Sequence, residues 1–252
     1  MRLLIALLTL ALSAAVGQAA GYTDAVTGME FVLVKGGCYQ MGNTFAGGSG
    51  NEKPVHKVCV DDFYVGKFEV TQAQYQKVMG KNPAAFKGCG LSCPVDSVSW
   101  EDAQEFIRKL NAGSGKNFRL PYEAEWEYAA RSGGRNEQYA GTSDLERLGD
   151  YAWYEANSSD KTHEVGTRKP NGLGIYDMSG SLWEWCADWY DENYYANSPE
   201  ENPSGALAGS NRVSRGGSWS SSAEDLRTAV RSGDVPGSQN NDNGFRLAFP
   251  AQ

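Results

Sequence analysis

Apolar residues recur along this chain at several spacings, and each spacing predicts a different use. An apolar run from Leu3 to Val16, with only Thr9 and Ser13 as polar residues within it, follows Met1-Arg2 and ends at Gly17-Gln18-Ala19. One positive charge, a short hydrophobic stretch and small residues at a cleavage point form a secretory signal over 1–19. The run is shorter than the about 20 apolar residues a spanning helix needs, and no later stretch is apolar enough, so no membrane span is expected. A released protein, secreted or periplasmic, follows from this reading. A short N-terminal segment over 20–27 would then precede the folded domain.

Further on, 31–41 and 56–65 read as β-like runs joined by a polar, glycine-rich stretch. Three segments have the helical period. Thr71 can cap a helix over 72–79 that Gly80 ends. Ser99-Trp100-Glu101-Asp102 resembles a capping box, with Asp in the place of Glu, and opens a helix to Leu110. Ala103, Phe106, Ile107 and Leu110 share one face of it. Pro121, at a first-turn position, starts a third helix over 122–131, with Trp126, Ala129 and Ala130 toward a core. Within it Glu123, Glu125 and Glu127 read mostly as a solvated face, with one of them bonded to Arg119 or Arg131. Beyond residue 132 the periodicity fades into short strand-like pieces and turns. Seven Trp and thirteen Tyr argue that this long stretch is packed rather than disordered.

The formal charge of −8 argues against nucleic acid as a partner, since phosphates call for clustered Lys and Arg. There are five cysteines, at 38, 59, 89, 93 and 186. In an oxidising compartment pairing is the default. Cys38 and Cys59 sit in the two β-like runs, which could pair antiparallel. Cys89 and Cys93 could close a tight loop on itself, or form a redox-active or zinc-binding pair. No second such pair exists to complete a zinc site, which favours the staple. Cys186 is left as a buried, inert thiol.

Eight phrases stand in a diagnostic order, at 36–42, 52–56, 63–71, 94–100, 119–127, 171–185, 215–219 and 244–247. The most telling are Asp177-Met178-Ser179-Gly180-Ser181-Leu182-Trp183-Glu184-Trp185 and Arg215-Gly216-Gly217-Ser218-Trp219. Together they resemble the formylglycine-generating enzyme family, also called sulfatase-modifying factors, over 28–249. The resemblance implies an α+β domain with little regular secondary structure, related to C-type lectin-like domains. Fold is not function. The family's oxidation of a sulfatase cysteine uses copper held by two cysteines just after the phrase matched by 215–219. Here that stretch reads Ser220-Ser221-Ser222-Ala223, with Ser221 about where the first thiol would stand. A hydroxyl is no soft ligand for Cu(I), so copper chemistry is not expected. The three-histidine iron site of some relatives cannot be built from His56 and His163, the two histidines present.

The resemblance also implies calcium, held by the Asp177 and Glu184 side chains and the carbonyls of Gly180 and Leu182. Hard oxygen donors at that spacing suit calcium, in a structural role. Among the arginines of the last segment, Arg215 and Arg246 read as braces for irregular loops. The stretch 219–243, rich in Ser, Asn, Asp and Gly, reads as a ligand surface carrying Trp219, Ser221, Arg227 and Arg231. It also resembles the C-terminal region that diversity-generating retroelements mutate in some members of the superfamily. The reading is thus an exported, non-catalytic binding or accessory domain for an unknown protein or small-molecule ligand. The alternative is an extracytoplasmic oxidoreductase of the family with altered active-site chemistry.

Overall fold

The computed structural model describes residues 21–251, so the expected signal segment lies outside the described residues. Strands β1 (Gly21–Thr23), β2 (Glu30–Val34), β3 (Gly37–Met41), β4 (His56–Val60) and β5 (Phe63–Gly66) come first. Helices α1 (Gln72–Met79), α2 (Trp100–Ser114), α3 (Glu123–Ala130) and the single turn α4 (Leu148–Tyr151) follow. Strands β6 (Trp183–Trp189), β7 (Arg212–Arg215), β8 (Arg231–Asp234), β9 (Asn243–Gly244) and β10 (Ala248–Pro250) end the chain.

The two β-like runs each break once. The first splits at Lys35-Gly36 into β2 and β3, the second at Asp61-Asp62 into β4 and β5. The break serves two sheets at once: β2 and β5 join a four-stranded sheet in the order β1-β2-β5-β10, while β3 and β4 form a separate ribbon. Gly36 permits the crossing, because a Cβ there would stand 2.4 Å from the Val60 carbonyl oxygen. A third sheet, β8-β7-β6-β9, collects the strands of the irregular half, with β6 and β9 parallel. In the ribbon Cys38 lies directly opposite Cys59, and the two are bonded; Cys89 and Cys93 are bonded as well. Cys186 is free and buried. The expected segment over 20–27 carries β1, which is hydrogen-bonded into the first sheet.

Helix starts follow their caps. Thr71 and Ser99 both accept from the third residue of their helix, and Gln74 and Asp102 return the bond. Gly80 and Gly115 end α1 and α2 with φ of 74° and 67°, so α2 runs one turn past Leu110. Helix α3 corrects two expectations. It begins at Glu123 with Tyr122 as its cap, so Pro121 precedes the helix instead of opening it. Moreover all eight of its residues are buried, including Glu123, Glu125 and Glu127. The helix runs through the centre of the domain, where Glu123 and Glu127 meet arginines from β8 and β7, while Glu125 pairs with Arg119 and Glu127 also with Arg131, the local bonds expected for this face.

Two apolar clusters make the core. One gathers Val34, Tyr39, Val58, Val65, Trp126, Cys186 and Val213 around α3. The other packs Phe31, Tyr75, Phe106, Trp185, Phe245 and Phe249 between α1, α2 and the first sheet. Indole donors tie the large plugs to fixed acceptors, Trp185 Nε1 to the Val98 carbonyl at 3.0 Å and Trp100 Nε1 to that of Cys186 at 2.9 Å.

Candidate functional site

The stretch expected to carry ligand contacts does not act as one surface. Trp219 and Ser221 share a corner. The Trp219 ring lies edge-on to Phe86 with centroids 5.1 Å apart, and its Nε1 donates to the Asn241 carbonyl at 3.2 Å. Ser221 Oγ accepts from Ser218 N at 3.0 Å, and Ser218 Oγ lies 3.1 and 3.2 Å from Ser220 Oγ and Ser221 Oγ. Ser218, Ser220 and Ser221 thus form a small cluster of hydroxyls centred on Ser218.

Arg227 and Arg231 belong elsewhere. Arg227 is half-buried and grips Glu52 through two bonds of 2.7 and 2.9 Å. Arg231 is buried, and its guanidinium closes on Glu123 at 2.7 and 2.6 Å, which takes it away from any surface ligand. Its role is that of a brace, and the expectation of a ligand contact is corrected. A charge that deep needs a partner of opposite sign, and Glu123 supplies it.

The loop between β8 and β9 completes the corner and is held firmly. Asp234 accepts from Val235 N, Ser238 Oγ and Asn240 Nδ2 at 2.7–2.9 Å. Gln239 Nε2 donates to Asp102 at the start of α2, and Ser97 N donates to the Asn240 carbonyl. The exposed residues of this loop are Val235, Gly237, Gln239, Asn240 and Asn241. With Phe86, Trp219, Ser220 and Ser222 they form an aromatic and amide surface on a rigid base. Phe86 was not legible as part of it, because it sits before a disulfide loop far away in the chain.

The carboxylates expected to hold calcium enter a buried polar cluster. Glu184 receives Arg246 Nε at 2.6 Å and Nη2 at 2.5 Å, and also Trp126 Nε1 at 2.9 Å. Asp177 Oδ2 accepts from Gly166 N at 2.7 Å, while its buried Oδ1 has no donor. Glu69, which sequence reasoning did not single out, accepts from Ser181 Oγ and Leu182 N. Burial pushes the Asp177 carboxyl up to about 6. Burial, and then the charges of Asp177 and Glu184, hold Glu69 well above the usual carboxylate range. Asp177 therefore fits a cation and Glu184 fits poorly, since Arg246 already neutralises it. Among the described residues, the group of three metal-type side chains drawn close together is Cys59, Glu200 and Glu201, and there the sulfur is in a disulfide.

Cys186 is fully buried, and burial followed by the nearby Asp188 and Glu123 charges pushes its thiol well above the ordinary value. The other four cysteines are bonded in pairs, so the chain has no accessible free thiol.

Residues 18–251 match the model of the sulfatase-modifying factor enzyme 1-like domain. The chain belongs to this family. Among family relatives, it is 40% identical over 172 residues to the formylglycine-generating enzyme of Streptomyces coelicolor, covering 63% of this chain and 53% of that one. It is 33% identical over 272 residues to the chaperone protein LppX of Paenibacillus barcinonensis, covering 86% of this chain and 88% of LppX. The solved structure of Treponema denticola variable protein 1 superposes with a TM-score of 0.81 at 33% identity, covering 91% of this chain and 98% of that one. PvdO from Pseudomonas aeruginosa gives 0.78 at 23% identity, covering 94% of this chain and all of that one, which bears on the fold alone. The mixed α+β, lectin-like architecture of the family is thus the fold of this chain. Among the described residues no helix is long and apolar enough to cross a membrane.

Proposed function

We propose that this sulfatase-modifying-factor domain is an exported binding or accessory protein that does not perform the family's cysteine oxidation. One observation carries the reading: Ser221, about where the resemblance puts the first copper-binding thiol, and its neighbour Ser220 both bond Ser218, and Cys186, the one free thiol, is buried. Cu(I) prefers thiolates, and serine hydroxyls stay protonated at physiological pH. The likeness to a protein named a chaperone and to one named a variable protein supports a role in recognising other molecules.

In this reading the recognition surface is the corner of Phe86, Trp219 and the β8–β9 loop. An aromatic anchor beside exposed amides, on a loop fixed by Asp234, loses little conformational entropy on binding. A structural calcium ion is proposed at Asp177, whose unpartnered Oδ1 would serve as one of its oxygen ligands. Copper competition tests the central point. A chromophoric Cu(I) chelator mixed with the protein should keep its copper. Stoichiometric withdrawal of Cu(I) by the protein would count against the reading.

A further inference from the structure

The β3–β4 ribbon has an inner face of Tyr39, Met41, Val58 and Val60, all buried in the core. Its other face carries Gln40 opposite Lys57, next to the Cys38–Cys59 bond. Beside this face the chain leaves α3 and turns through 131–136. Gly134 has a φ of 79°, and a Cβ on it would stand 2.6 Å from Tyr39 Cβ, so glycine lets the turn press onto the ribbon. Between ribbon and turn lies a cavity of about 400 Å3, within the range of small-ligand sites.

Its lining runs against the charge of the whole molecule. The chain has 31 acidic and 23 basic residues, yet the cavity is lined by Lys57, Arg131 and Arg135 and by no carboxylate. Arg131 is engaged below by Glu127 and the carbonyls of Gly42 and Glu137. Arg135 is exposed and makes no ion pair among the described residues. Lys57 is held by Glu200 at 2.6 Å, in a pair that is half exposed on both sides and therefore easily exchanged. Asn136 Oδ1 accepts from Thr44 Oγ1 at 2.6 Å, which leaves its amide nitrogen free to donate. Cys38 and Tyr39 add apolar atoms to the lining.

We propose that this cavity binds a small organic anion, a carboxylate or phosphate monoester with an apolar body, between Arg135 and Lys57. The cavity shares no residue with the Trp219 corner, so the proposal stands apart from the reading above. Guanidinium, ammonium and amide donors together complement an anion, and the guanidinium can meet two of its oxygens at once.

Phenyl phosphate is a suitable probe, with neutral phenyl glucoside as its control, titrated into the full chain by calorimetry. The phosphate should bind saturably and more weakly as salt rises, and the glucoside should not bind. Arg135→Glu should weaken phenyl phosphate by about tenfold or more. Glu200→Gln frees Lys57 and should tighten it several-fold, a gain that misfolding cannot produce. Melting curves of both variants should match the parent. Absence of saturable binding, equal binding of the glucoside, or affinity indifferent to both substitutions would overturn the proposal.

Discussion

Arg215→Met removes the cation at the centre of the domain while keeping a long, flexible side chain in its place. Arg215 is fully buried on β7 and bonds Glu127 through Nη2. Its Nη1 donates to the carbonyls of Ala229 and Val230 at 3.0 and 2.6 Å, and Nη2 to that of Thr228 at 2.9 Å. Without it Glu127 keeps Arg131 Nε at 2.8 Å and Gly42 N at 2.9 Å, both on Oε1, while its buried Oε2 loses the donor it has among the described residues. Breaking one member of a buried ionic network costs about 3–5 kcal/mol. The three carbonyl bonds overlap with that figure and are not added to it, because such losses are not independent. With a urea dependence of about 1–3 kcal/mol per molar, the midpoint should fall by about 1–5 M. Fluorescence-monitored urea unfolding reads this directly, since Trp126 lies against the guanidinium at 5.4 Å. The exposed pair Lys35–Asp62 is the comparison, and Lys35→Met should move the midpoint far less. Salt should weaken the exposed pair and leave the buried network unchanged. Equal shifts for the two substitutions would refute the assignment of stability to the α3 carboxylates.

Three further outcomes follow from the geometry. Asp188 is buried with Glu123 N as its donor, and burial, then the Glu123 charge, pushes its carboxyl up to about 8. The folded state therefore holds a proton that the unfolded chain has released above its ordinary value, so stability falls as pH rises between about 4 and 8. Asp188→Asn should flatten that decline, and melting curves at pH 5 and 8 that keep the parent's slope would contradict it. A chelator should lower the melting temperature and calcium restore it, with no response in Asp177→Ala; indifference of the parent to chelator removes the calcium proposal. Replacing Cys38 and Cys59 by serine should cost up to about 3 kcal/mol, the entropy of a loop of this length, read from the unfolding midpoint without reductant.

Much of the first half of the fold is written locally. Thr71 and Ser99 announce α1 and α2 because a cap and its helix lie within four residues. Cys38 and Cys59 find each other because two adjacent strands fix their register. Helix α3 was misread for the opposite reason. Glu123 and Glu127 look solvated because the arginines that bury them arrive from β8 and β7, 108 and 88 positions away in the chain, whereas Glu125 finds Arg119 six positions away. The same distance hid the candidate surface. Trp219 and Ser221 stand out in sequence, but the Phe86 ring beside them and the Asp234 bonds that fix the loop appear only once the chain is folded. Arg231 reads as a surface residue for the same reason, since its partner Glu123 lies 108 positions away.

The proposed lack of the family's oxidative chemistry is met directly by one assay. The protein is loaded with copper and a reductant and incubated in air with a Cys-x-Pro-x-Arg peptide, and the peptide is then weighed by mass spectrometry. The Ser221 hydroxyl and its serine neighbours cannot replace a thiolate pair, so a peptide of unchanged mass is expected. A peptide whose thiol has become an aldehyde, absent from a control without protein, would contradict it.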